Sequence, residues 1–129
     1  MCESDPNSSD LDLIVLDKVT RRTLAIQVKS AIASPSRGTV QFDVRKVTHS
    51  GTDREYLVMV VFDPARIALT ASWLIPMAVV PDVATTQAEK FALVPSLNAG
   101  SGGRYRPYRC NDVRALTAAV QRALDGSDR

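Results

Sequence analysis

Apolar and polar positions alternate with a period of two over much of the chain, the signature of strands that face a core on one side. Leu11, Leu13 and Val15 oppose Asp10, Asp12, Ile14 and Leu16, so the segment is a short strand whose two faces are both apolar by its end, as in a buried strand. The polar stretch 17–23 fits a hairpin loop. In the next strand Leu24, Ile26 and Val28 alternate with Ala25, Gln27 and Lys29, and the short connection predicts an antiparallel pair. After the breaker 34–38, Val40, Phe42 and Val44 alternate as a further strand, although Val40, Val44 and Val47 also suit a short helix.

A second breaker, 49–53, precedes the continuous apolar run from Tyr56 to Phe62. A run of this kind predicts a strand covered on both faces, at the centre of the sheet. Asp63–Arg66 turns the chain into a strand over Ile67–Leu74, ended by Ile75 and Pro76, and Phe91–Pro95 reads as the last strand. Residues 98–103 form a glycine- and serine-rich loop. Asn111 or Asp112 then caps a helix with Val113, Leu116, Val120, Ala123 and Leu124 on one face, stopped at Gly126. The pattern predicts an α/β fold with a mixed central β-sheet and flanking helices. Residues 1–9 read as a disordered polar leader and 10–126 as a single domain, without internal repeats.

Composition narrows the class. The 129 residues are 45% hydrophobic and 23% charged, with six Gly and seven Pro, which excludes collagen, a long coiled coil and wholesale disorder. A formal charge of +2 leaves no globally basic surface, so any nucleic-acid contact must be local. Cys2 and Cys110 make neither a disulfide framework nor a zinc set, and fit a reducing compartment. The leader MCESDPNSSD is acidic and polar, unlike a signal or transit peptide, and the longest apolar stretch, 67–80, is too short for a spanning helix. The expectation is a cytoplasmic protein. The apolar strands, with nothing evident to cover one face, predict a homodimer.

The chemistry concentrates in the first hairpin. Gln27 and Lys29 lie two apart on a strand and therefore share a face, to which a hairpin also brings Asp12. A carboxylate and an amide oxygen can there hold Mg²⁺, with water and phosphate completing its shell, while an ammonium steadies charge on phosphorus. Asp12 followed by Gln27-Val28-Lys29-Ser30 resembles the PD-(D/E)xK nuclease superfamily, in a small, uncharacterised QxK form. The strand 56–62, Ile75-Pro76 and the segment Arg104-Tyr-Arg-Pro-Tyr-Arg109 extend that resemblance along the chain.

The resemblance implies a restriction endonuclease-like fold and Mg²⁺- or Mn²⁺-dependent hydrolysis of DNA phosphodiester bonds, in restriction or defence. Asp12 and Gln27 would be metal ligands and Lys29 the water-activating group. Two departures stand out: Gln27 occupies a position where the family usually has Glu, and the leader leaves no place for the usual N-terminal helix. The alternative reading is therefore a catalytically weak or inactive module that binds nucleic acid or a protein partner, and a third is a subunit whose only role is assembly.

A second candidate is the segment Arg104, Tyr105, Arg106, Tyr108 and Arg109, in which guanidiniums hold phosphates and rings stack on bases of DNA or RNA. The other reading makes it a loop with its tyrosines in the core. His49 has no second ligand nearby and reads as a surface residue, whereas Trp73 and Met77 read as core.

Overall fold

A computed structural model describes residues 9–32, 38–46, 54–98 and 103–126. The leader 1–8, the breaker 34–37, His49 and the glycine loop 99–102 lie outside the described residues. In chain order the elements are β1 (Ser9–Leu16), β2 (Thr23–Ile32), β3 (Phe42–Arg45), β4 (Glu55–Asp63), β5 (Ala68–Pro76), α1 (Val80–Val83), β6 (Thr85–Thr86), β7 (Lys90–Leu93), β8 (Arg109–Cys110) and α2 (Val113–Asp125). Single 3₁₀ turns cover Met77–Val79 and Arg106–Tyr108.

The fold is mixed α/β. Five strands form a central sheet in the order β1-β2-β4-β5-β8, and three short ones form a second sheet in the order β3-β7-β6. The central sheet is mixed because β2 and β4 run parallel, while β1 with β2, β4 with β5 and β5 with β8 run antiparallel. As the unbroken apolar run predicts, β4 is the middle strand.

Its two faces serve two cores. Leu57, Met59 and Val61 join Trp73, Ile75, Phe42, Val44 and Leu93 in one cluster, formed where the three-stranded sheet lies against the central one. Tyr56 and Val58 join Leu24, Ile26, Leu74 and Cys110 in the other, closed by Ala119, Ala123 and Leu124 of α2. Trp73 and Met77 are buried as expected.

Helix α2 owes its ends to local chemistry. Asp112 is the N-cap, its carboxylate accepting from the Ala115 N–H at 2.7 Å, and Gly126 ends the helix at φ 77°, where a side chain would be strained. Two arginines then tie the last turn to the first hairpin. The Arg54 guanidinium donates to Ala123 O (3.3 Å), Leu124 O (3.1 Å) and Thr23 O (3.0 Å), and Arg22 donates to Asp125 O. Carbonyls in the last turn of a helix lack their usual i+4 partners, although Ala123 O also accepts from the Gly126 N–H at 3.2 Å, and a cation at this end also meets the negative pole of the helix dipole. Arg54→Ala is expected to destabilise the protein by about 1–3 kcal/mol, read as a lower midpoint in urea, with Arg54→Lys recovering only part of the loss because a single ammonium cannot span three carbonyls.

Several expectations need correction. β1 does not behave as a buried strand: it is the edge of the sheet, and Leu13 (49% exposed), Ile14 (74%) and Leu16 (45%) face solvent. Alternation of apolar residues reports side-chain chemistry but not the number of neighbouring strands. Ile67 belongs to the turn before β5, at φ 52° and exposed. Phe91–Pro95 is not the last strand, since Arg109 and Cys110 add β8 beside β5. Val113, assigned to the buried face of α2, is exposed at its first turn. The alternation at Phe42 and Val44, by contrast, is a strand as expected, paired with β7.

Candidate functional site

The β1–β2 register decides whether the sequence motif can assemble. Asp12 lies directly opposite Gln27, and Asp10 directly opposite Lys29. Opposite positions of an antiparallel pair share a face, so positions 10, 12, 27 and 29 all lie on one side of the hairpin. The hairpin loop is itself ordered by Asp17, whose carboxylate accepts from the Val19 and Thr20 N–H groups. Those bonds hold its pKa below the ordinary carboxylate value, and the stability they contribute is present above that value and lost as pH falls.

This side of the sheet is also that of the first core cluster. Across the parallel pairing Gln27 faces Leu57 and Lys29 faces Met59, and the next strand carries Ile75 and Trp73 at the same level. A polar pair is thereby set against an apolar floor. Lys29 is only 8% exposed, one of two buried polar or charged residues among those described, the other being Ser72. Gln27 Oε1 is buried and accepts no hydrogen bond from any described group. An orphaned buried acceptor costs about 1–3 kcal/mol, and an oxygen held in this way is a ready ligand for a hard cation.

Glu55, half-buried, occupies the same face opposite Ala25. Nothing in the sequence pattern marks it, because it belongs to a different strand and only the parallel β2–β4 register brings it near the hairpin. Among the described residues no three His, Cys, Asp or Glu side chains gather into a metal-binding group.

The arginine–tyrosine segment divides. Tyr105 and Tyr108 pack against the first core cluster, and the Tyr105 hydroxyl accepts from the Val94 N–H at 3.0 Å. Arg109 lies with its guanidinium carbon 5.3 Å from the centre of the Trp73 ring and donates to Ser96 O (3.1 Å), Leu97 O (3.2 Å) and Asn111 Oδ1 (3.1 Å). It is committed to holding β8 and the chain after β7 together. Arg104 and Arg106 are exposed.

A shallow cavity of about 400 Å³ lies on the opposite side of β5, lined by Leu74, Pro76, Tyr108, Cys110 and Arg122. Burial there raises the Cys110 thiol pKa. A thiol held neutral in this way is a poor nucleophile. The cavity is separate from the Gln27–Lys29 face.

Compared with family models, curated proteins and solved structures, the chain shows no significant match. Among the described residues no helix is long and apolar enough to cross a membrane.

Proposed function

We propose that the hairpin face is the metal site of a Mg²⁺-dependent nuclease, in a fold of the restriction endonuclease-like kind, acting on DNA phosphodiesters. The observation that supports this reading most is the orphaned, buried Gln27 Oε1 set opposite Asp12 and two residues from the buried Lys29. An amide oxygen and a carboxylate are the hard donors that Mg²⁺ or Mn²⁺ takes. Asp12 and Gln27 would hold the cation, which when bound supplies an acidified water and charge neutralisation at phosphorus. Lys29, fixed between Met59 and the edge strand, orients that water and stabilises the charge developing on the phosphoryl oxygens. The apolar floor of Leu57 and Met59 lowers the local dielectric and strengthens both effects.

A second reading has its own support. With Gln27 in place of a carboxylate, the neutral amide holds a metal less strongly, and the face suits a module that binds nucleic acid or a protein without cutting. In that reading Arg104 and Arg106 carry the phosphate contacts, since Arg109 and both tyrosines are engaged in the fold.

The two are separated by titrating Mn²⁺ into the protein calorimetrically and assaying cleavage of plasmid, linear duplex, single-stranded DNA and RNA. The nuclease reading expects metal binding that is lost in Asp12→Ala and tightened in Gln27→Glu, together with metal-dependent cleavage. Absence of both binding and cleavage on every substrate overturns it. The module reading then requires nucleic-acid affinity whose salt slope falls by roughly one unit for each of Arg104→Ala and Arg106→Ala.

A further inference from the structure

We infer that two copies of the chain pair edge to edge through β1, forming one continuous ten-stranded sheet about a two-fold axis. This goes beyond the catalytic reading and stands whether or not the protein cuts DNA.

β1 pairs with β2 along one side without interruption from residue 9 to residue 16, and no described strand lies on its other side. Half of its N–H and C=O groups therefore face outward in a row, a template for another strand. Protein edges are ordinarily blunted by charged side chains, lysine above all, by proline, a bulge or brevity, and the charges of β1, Asp10 and Asp12, are confined to its first half. β1 has eight residues, contains no Pro, Lys or Arg, and shows no register shift. Among the described side chains of β1 the exposed ones are apolar on both faces, Leu13 on the helix side and Ile14 and Leu16 on the other.

The partner that fits is a second β1, because an antiparallel strand pair is its own complement. A two-fold axis perpendicular to the sheet keeps each face on its own side, so residues of equal parity meet. Centring the axis on Asp12 sets two carboxylates opposite each other, which is unfavourable. Centring it on Leu13 pairs Leu13 with Leu13, Asp12 with Ile14, Leu11 with Val15 and Asp10 with Leu16, with no like charges opposed and seven residues paired. Assembly stops at two copies, since the other edge of the central sheet is β8, only two residues long. In the pair the two Gln27–Lys29 faces lie on the same side of the sheet, with their β2 strands separated by three strand spacings, about 14 Å.

Light scattering and disulfide trapping test the inference. The wild-type chain is expected to scatter as a dimer, and Leu13→Lys, which sets two ammonium groups on the axis at a half-exposed position, as a folded monomer. Leu13→Cys in a Cys2→Ser background is expected to oxidise to a covalent dimer, because directly opposed strand residues sit about 4.5–5.5 Å apart, within disulfide reach. Val19→Cys, 91% exposed in the wild type but off the strand, is the control. A wild-type monomer at all concentrations overturns the inference, as does trapping through Val19→Cys as efficient as through Leu13→Cys. A Leu13→Lys variant that stays dimeric overturns it as well. Cleavage activity enters none of these readouts, so failure here and failure of the nuclease reading are distinguishable.

Discussion

Trp73→Ala is expected to lower stability by about 3–5 kcal/mol, the range for truncating a fully buried aromatic, and to leave little folded protein at 37 °C. Trp73 is 1% exposed and meets three parts of the molecule at once. Phe42 of the three-stranded sheet approaches it edge-on at 6.3 Å, Met59 of the central strand lies opposite it, and the Arg109 guanidinium covers its ring. Truncation opens a cavity in the first core and removes the surface on which Arg109 stacks, so β8 should loosen together with the core. Circular dichroism in urea reads the loss. Trp73→Phe should recover most of it, because the ring contact with Phe42 survives. A Trp73→Ala variant as stable as wild type would mean that the two sheets do not depend on this residue for their packing.

On the nuclease reading proposed above, Lys29→Met is expected to reduce metal-dependent cleavage by about 10²–10⁴-fold, the range for losing a positioned acid–base or charge-stabilising group, while the protein stays folded as read by circular dichroism. Methionine preserves most of the aliphatic stem against Met59 and removes the charge. The split between activity and stability is what separates a catalytic lysine from a structural one. A variant that cleaves as fast as wild type would remove Lys29 from the mechanism.

The parts of the fold most legible in the sequence were those whose cause is local. The continuous run at 56–62, the caps at Asp112 and Gly126, and the hairpin between β1 and β2 each follow from side-chain period or turn chemistry within a dozen residues. The candidate site was legible for the same reason, since Asp12, Gln27 and Lys29 belong to one hairpin and need only its register. What depends on pairing between distant segments was not. Nothing local marks Arg109 and Cys110 as a strand, because β8 exists only through its bond to Ser72 and Trp73. Arg109 itself reads as a free phosphate-binding side chain until the carbonyls of Ser96 and Leu97 are seen to accept from it. The exposure of Ile14 and Leu16 is of the same kind, since an edge is a property of the sheet order and not of the strand.

The second core joins segments of the chain far apart in the sequence. Leu24 and Ile26 come from its first hairpin, and Ala119, Ala123 and Leu124 from its final helix, with Arg54 fastening the one to the other. During synthesis the hairpin and the central strand therefore emerge well before the surface that will cover them. Until the last helix leaves the ribosome, one whole face of β2 and β4 stays open to water and to other chains. Contacts of such high sequence separation slow the search for the native state, and a face left open in that interval is where nascent chains stick to each other or are held by a chaperone. Stopping translation just short of residue 113 would strand the chain in that state, so for this protein the final helix works as the latch that ends its vulnerable period.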